Sequence, residues 1–140
     1  MATNVAAQAD ALEVILEAIT GGTASQGDYG ILASAGNYAF VIWPGSGGPE
    51  RDTMANGWQY VNHFGVEAFS RVSGDAVGAG ELSFDIIDAV NAALVADDTL
   101  TGTCNAVEAV GYEFQGQIKL GERGPTWRSS MLDIETIKFD

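Results

Sequence analysis

The chain contains few of the residues that stabilise small proteins by means other than a hydrophobic core, such as disulfides and metal sites. Of its 140 residues only one is cysteine, three are proline and one is histidine. The single cysteine, Cys104, cannot form an intrachain disulfide, and it has no cysteine partner for a zinc motif. A chain of this length can form one core without disulfides. We therefore expect one domain over residues 1–140, compatible with a reducing compartment.

Basic residues are also scarce, since 6 lysines and arginines stand against 19 acidic residues and give a formal net charge of −13. Such a charge repels nucleic-acid phosphates and anionic lipid headgroups. No apolar stretch approaches the ~20 residues of a membrane span. The first ten residues lack the cationic start and apolar run of a secretory signal. These observations argue against autonomous DNA binding, a membrane location and secretion.

The common catalytic motifs are missing as well. No lysine precedes Lys119, which excludes a phosphate loop in the glycine-rich stretch 45–48, and no serine lies in a Gly-x-Ser-x-Gly elbow. The carboxylates lack the spacing of a calcium loop. His63 has Glu67 two pleats along the same predicted strand but no evident nucleophile. We expect no catalytic, cofactor-binding or metal-binding residues, and His63 is the candidate if the protein is an enzyme.

Hydrophobic periodicity predicts two helices and four strands. Apolar residues three and four apart indicate a helix over residues 5–19 and a second over residues 84–96, with Ser83 as its N-cap. Alternating or β-branched stretches predict strands over residues 38–43, 58–72, 107–117 and 128–139. The stretches 20–37 and 45–52, rich in glycine, are predicted as loops, and residues 118–127 as a long hairpin tip.

This pattern predicts an α+β fold. The apolar stripes of both helices are most simply buried by a four-stranded, mostly antiparallel sheet with two helices packed on one face, in the order αββαββ. At ~3.3 Å per residue, the strand over residues 58–72 would span about 46 Å, which is long for a compact domain of this size. We therefore expect that Gly65 bends this strand or that one end projects.

Acidic and basic side chains are unevenly distributed. Residues 73–105 hold six acidic and no basic side chains, whereas residues 119–138 hold four of the six basic ones. A head-to-tail contact could place the basic hairpin of one copy against the acidic helix of the next and so close a ring. Alternatively, both are simply solvated surfaces. The predicted subunit or tube interface residues are Arg51, Lys119, Arg123, Arg128, Asp85, Asp88 and Asp97.

Several segments follow one another in a recognisable order. They are a helix containing residues 10–19, a short strand, a long strand ending with residues 67–71, a helix with residues 86–94, and residues 107–113 followed by a closing strand. This order resembles that of the tail-terminator, or tail-completion, proteins of long-tailed bacteriophages. The resemblance spans most of the chain.

The resemblance implies a structural virion protein without enzymatic activity or cofactor. It would form a homohexameric ring at the head-proximal end of the tail tube, stop tail polymerisation and mediate head–tail joining. The implied partners are further copies of the chain, the major tail tube protein and the head–tail connector protein. DNA would pass through the lumen without specific binding.

By analogy of position, the stretches 45–57 and 119–127 would make the contacts with these partners. The implied location is the tail or neck of the virion, and the host cytoplasm during assembly. A second interpretation is another neck or head-completion (connector) protein. A third and less favoured one is a small enzyme that uses His63.

Overall fold

The computed structural model describes residues 4–33, 35–52, 57–72, 76–119 and 125–139; side chains 50–52, 57–58 and 76–83 are not described. The helices in these ranges are α1 (Val5–Glu17), α2 (Ala76–Ala96) and a short 3₁₀ helix (Tyr29–Ala33). The strands in the same ranges are β1 (Gly22–Gln26), β2 (Tyr38–Asp52), β3 (Gly57–Val72), β4 (Ala106–Lys119) and β5 (Thr126–Phe139).

The five strands of the described residues form one mixed sheet in the order β1-β2-β3-β5-β4. β1 runs parallel to β2, and the other neighbours are antiparallel. The α+β class therefore agrees with the structure, but the predicted four-stranded, mostly antiparallel sheet in the order αββαββ is wrong. The additional strand, β1, lies in the stretch predicted as a loop. Its sequence, Gly-Thr-Ala-Ser-Gln, has no large apolar side chain, so the alternation that reveals a strand is weak there.

The predicted loop 45–52 is the distal half of β2, which pairs with β3 as far as Asp52. The register shifts between Pro44 and Gly47, where β2 has a bulge. A Cβ atom at Gly45 or Gly47 would collide with the backbone carbonyl oxygen of His63 or Val61. The glycines that suggested a loop are therefore needed for two strands to approach closely.

Gly65 leaves the pairing of β3 uninterrupted, because β3 keeps one register with β5 from Gln59 to Val72. The length of β3 is accommodated by neighbours of similar length, since β2 has 15 residues and β5 has 14.

The second helix, α2, begins at Ala76 instead of residue 84, so Ser83 is inside the helix and is not its N-cap. Gly78 and Gly80, in the first two turns, lower the helix propensity of the segment. Their presence explains why the sequence pattern predicts a later start.

Apolar side chains cover both faces of the sheet. On the first face, Leu12 and Leu16 of α1 and Ile86, Val90 and Leu94 of α2 belong to one buried cluster. Its members from the sheet include Phe40, Phe64, Val66, Leu132 and Ile134. On the second face, the segment containing the 3₁₀ helix covers a smaller cluster made of Leu32, Ala35, Ala39, Val41, Phe69 and Trp127. Both α-helices therefore pack on the first face, and the second face is only partly covered.

A buried network of hydrogen bonds connects α1 with β3, with β5 and with the segment before β4. Gln8 of α1 is fully buried, and its Oε1 accepts hydrogen bonds from Thr136 Oγ1 at 2.7 Å and Asn62 Nδ2 at 3.3 Å. Its Nε2 donates to the carbonyl oxygen of Thr103 at 3.3 Å. These partners lie on β5, β3 and the segment before β4, so one side chain links four parts of the chain.

Replacing this glutamine should destabilise the fold strongly. We expect Gln8→Ala to lower the free energy of unfolding by about 2 to 4 kcal/mol, because buried Asn62 and Thr136 lose an acceptor. The matched control is Gln26→Ala, since Gln26 is exposed and its side-chain Nε2 donates to Asp10 and Glu13 on the surface. Its effect should stay within about 0.5 kcal/mol. Urea denaturation followed by circular dichroism measures both, and equal effects would contradict the role of Gln8.

Candidate functional site

His63 lies on the second face of β3, where its ring is held between two carboxylates of β5. Its Nδ1 is 2.9 Å from Asp133 Oδ1, and its Nε2 is 3.7 Å from Glu135 Oε2. A serine–histidine–aspartate arrangement needs one ring nitrogen for the carboxylate and the other for the nucleophile. Although Ser46 lines the same surface cavity as His63, both nitrogens face carboxylates instead. The geometry therefore does not favour nucleophilic catalysis at His63.

Glu67, which the sequence pairs with His63, is engaged with other partners. Its Oε1 accepts a hydrogen bond from the Trp43 indole Nε1–H at 2.7 Å and another from the Tyr29 hydroxyl. The hydrogen bond to Glu67 raises the pKa of Tyr29, and burial and the negative charge of Glu67 raise it further. The Tyr29 ring also packs on Trp43, with ring centroids 5.5 Å apart. Glu67 thus fastens the 3₁₀ helix to the second face.

Asp97 has a local structural role in the turn after α2. Its carboxylate accepts hydrogen bonds from the backbone N–H of Thr101 at 2.9 and 3.0 Å and from its hydroxyl at 2.9 Å. These hydrogen bonds lower the pKa of Asp97, and the one from the backbone N–H of Thr101 has the largest effect. Leu100 and Thr101 have positive φ angles of 45° and 57°, a conformation that such residues rarely adopt. Asp97 therefore supports a strained turn that delivers the buried Leu100 to the core.

The other predicted interface residues are spread over the sheet and α2. Asp85 and Asp88 are exposed on α2, Lys119 is exposed at the end of β4, and Arg128 of β5 is half-buried. Arg51 belongs to the distal part of β2 but its side chain is not described, and Arg123 lies outside the described residues.

The strand register relates Arg128 to the acidic helix. Arg128 pairs with Ser70 on β3, which pairs with Tyr38 on β2, so the three share the first face. Burial raises the pKa of Tyr38, and the charge of Asp85 raises it further. Asp85 of α2 and Arg128 therefore lie on the same face of the sheet within one chain. In the part of the chain that the structure describes, the ion contacts within 4 Å are those of His63.

The exposed edge of the sheet is the feature that sequence reasoning missed. β4 is an edge strand of 14 residues, and most of its side chains are exposed. They include large apolar ones: Tyr112 is 66% exposed, Phe114 is 59% exposed, and Val110 and Ile118 are also exposed. The sequence predicts a strand here, but its place in the strand order, which makes it an edge, is not encoded locally. Glycines 111 and 116, at the two register shifts with β5, are the only local sign of irregular pairing.

A groove separates α2 from this edge strand. It has a volume of about 390 Å³ and is lined by Asn91, Leu94, Val95, Asp98, Val107, Glu108 and Ala109. Val95 is 80% exposed beside it. The exposed apolar surface thus continues from β4 onto the outer side of α2.

Among the described residues, histidine, cysteine, aspartate and glutamate form no group of three or more that could hold a metal ion. Cys104 is buried, and burial raises the pKa of its thiol to about 11, which keeps it protonated at neutral pH. In the same described ranges, no helix combines the length and hydrophobicity required to cross a membrane.

Neither a known protein-family model nor a curated protein sequence matches this chain.

Removing the Asp97 carboxylate should destabilise the turn in a pH-dependent way. Because the folded state lowers the pKa of Asp97, its stabilising effect is present above the unfolded pKa and is lost as the pH falls through the folded value. We expect Asp97→Ala to lower the urea midpoint at neutral pH, and the difference from the wild type to shrink towards about pH 3.

The neighbouring Asp98→Ala variant removes the same charge and is the control. Its midpoint should stay near that of the wild type. A loss of stability that is equal for both variants, or that does not change with pH, would contradict the role of Asp97 in this turn.

Proposed function

We propose that this chain is a structural virion protein that forms a ring at the head-proximal end of a phage tail tube. There it terminates tail polymerisation and mediates head–tail joining. The observation that carries the assembly part of this proposal is the long, exposed, apolar edge strand β4. The phage part rests on the resemblance in the sequence order of α1, β2, β3, α2, β4 and β5, to which the structure adds β1 and the 3₁₀ helix between α1 and β2.

An edge strand of this kind favours pairing with another chain. Proteins usually protect sheet edges with short strands, prolines, charged side chains or β-bulges. β4 has two glutamates and two register shifts with β5, but it is 14 residues long and has no proline and only one lysine, at its last position. Tyr112 and Phe114 expose aromatic surface beside its unpaired edge. A partner strand would satisfy the edge N–H and C=O groups and cover these rings.

The opposite side of the sheet offers a second edge. β1 pairs with β2 only along Tyr38–Ile42, whereas β2 pairs with β3 as far as Asp52. Within the described residues, the distal half of β2 therefore has no strand on its outer side. Pro49 lies in this edge and has no N–H to donate, so β4 of one copy would pair through the N–H and C=O groups on either side of it. Such a pairing of β4 with the distal β2 edge of the next copy would be a head-to-tail contact. Contacts of this type form rings when the rotation closes.

The charge of the chain agrees with a conduit for DNA. A formal net charge of −13 per copy would be multiplied in a ring of six subunits. Acidic surfaces repel phosphates at a distance of about one Debye length, ~8 Å at physiological salt. DNA could thus pass through such a ring without being held. The partners in this proposal are copies of the chain, the major tail tube protein and the head–tail connector protein.

A connector or neck protein is the second candidate, since the same open edges could join a ring on the head side. Separate pull-downs with tail tube protein and with portal or connector protein distinguish the two. Binding to tube protein supports the tail terminator, and binding to connector protein alone supports the neck protein.

Charging the edge strand should prevent assembly. We expect the double variant Tyr112→Lys and Phe114→Lys to remain folded, since both side chains are exposed, but to lose the oligomer by at least tenfold in association constant. Native mass spectrometry, with and without tail tube protein, measures this. The control is Val14→Lys, which changes a 65% exposed apolar residue on α1 and should assemble normally.

Two results would contradict the proposal. One is a wild-type chain that stays monomeric and does not bind tail tube protein. The other is an edge variant that assembles as well as the wild type, which would leave the ring possible but exclude β4 as its interface.

Substituting the histidine tests the enzyme hypothesis. We expect His63→Ala to leave tail length and head–tail joining unchanged in a phage assembly assay, because both ring nitrogens face carboxylates. If the variant folds and forms the normal oligomer but gives an altered tail length or no head–tail joining, His63 itself has a functional role.

A further inference from the structure

A second groove lies on the opposite face of the sheet from α1 and α2. It has a volume of about 520 Å³, and the 3₁₀ helix and β4 form its two walls. Its lining combines apolar residues Leu32, Phe69 and Ile118 with the polar residues Tyr29, Glu67, Gln115 and Ser129. The groove is thus apolar with a few polar groups, which is typical of a binding site.

Glu67 is the charged group in this groove. The hydrogen bonds from Tyr29 and Trp43 both end on Oε1 and fix the position of the carboxylate. Neither of these bonds uses Oε2. A fixed carboxylate beside aromatic and aliphatic side chains attracts a cation more strongly than one surrounded by water.

Further groups suit a long, planar cation. Gln115 Oε1, which accepts a hydrogen bond from Ser129 Oγ at 3.3 Å, offers a second acceptor. Tyr29 is 46% exposed, and its ring also packs against Trp43 and Phe69. A guanidinium has several N–H donors in one plane, so it can donate to Glu67 Oε2 and to Gln115 Oε1 at the same time, while its methylene stem covers apolar surface.

The basic residue nearest in register does not fill this role. Arg71 shares the second face of β3 with Glu67 and Phe69, but its Nη1 donates to the carbonyl oxygen of Ala35 at 3.2 Å. Its guanidinium carbon lies 5.9 Å from the Trp127 ring centroid. Arg71 is therefore committed to the segment that follows the 3₁₀ helix. A chain with 6 basic and 19 acidic residues favours a cationic partner.

We propose that the groove between the 3₁₀ helix and β4 binds an arginine side chain presented by a partner protein. The guanidinium donates to Glu67 Oε2 and to Gln115 Oε1, and the methylene stem packs on the exposed parts of Tyr29 and Ile118. The groove shares β4, including Ile118, with the edge proposed to pair between copies, but arginine binding is measured on the free chain and so is tested independently of ring formation.

The test uses small probes that differ only in the group recognised. N-acetyl-arginine N-methylamide is titrated into the full chain, and the indole N–H resonance of Trp43 is followed by NMR. N-acetyl-citrulline N-methylamide has nearly the same shape without the charge, and N-acetyl-lysine N-methylamide has the charge without the planar fork. We expect a saturable shift with the arginine probe, at least tenfold weaker binding of the citrulline probe, and intermediate binding of the lysine probe.

Variants of the chain locate the binding. Glu67→Gln should weaken arginine binding at least tenfold, whereas Asp133→Asn, which removes a carboxylate from the neighbouring strand on the same face, should change it less than twofold. Because Glu67→Gln also removes an anchor of the 3₁₀ helix, Ile118→Arg provides an independent test. Ile118 is 40% exposed, and an arginine there should occupy the groove and weaken binding of the probe at least fivefold.

Some results would overturn the inference. These are equal binding of the arginine and citrulline probes, full binding by a folded Ile118→Arg variant, or equal losses in Glu67→Gln and Asp133→Asn. Stronger binding of the lysine probe than of the arginine probe would replace the guanidinium site with a site for a point charge and would also overturn it.

Discussion

The structure depends on the need to cover both faces of one long central strand. β3 carries Phe64 and Val66 towards the helices and Phe69 towards the opposite side, and all three are buried. Two α-helices supply the cover on the first face. On the second face, within the described residues, the short segment around the 3₁₀ helix does so, and Glu67 holds it there. Because burial of these side chains is the main driving force of folding, the position of that small segment is as constrained as that of the helices.

The partial cover of the second face explains why polar and charged groups are concentrated there. Beyond the 3₁₀ helix, β3 and β5 present His63, Asp133 and Glu135 to solvent in contact with one another. Such a pair of partly exposed ion contacts contributes little to stability. The same openness leaves room for the groove at Glu67. The second face is therefore part core and part binding surface.

Local patterns in the sequence predict the elements better than their arrangement. The helical stripe of α1 and the alternation along β3 and β5 are strong because large apolar side chains mark them. β1 and the start of α2 were missed because small residues and glycines dominate there. The glycines of the distal β2 suggested a loop, although a close approach between two strands requires them.

The contacts of the candidate sites were beyond sequence reasoning for a different reason. His63 and Asp133 are 70 residues apart, and Tyr29 and Glu67 are 38 apart. Their meeting depends on the strand order β3-β5 and on a 3₁₀ helix inside a predicted loop. Spacing along one strand suggests His63 and Glu67 as partners, but their side chains contact different residues in the structure. A lateral contact between strands is decided by register, which no local pattern encodes.

The charge of the chain sets a condition on the proposed assembly. Copies with a net charge of −13 repel one another, and this repulsion extends to about a Debye length, ~8 Å at physiological salt. Strand pairing along β4 and burial of Tyr112 and Phe114 act only at contact. Free copies must therefore overcome a barrier before the attractive contacts form. A partner with exposed cations lowers that barrier, because it attracts each acidic copy and concentrates several of them on one surface.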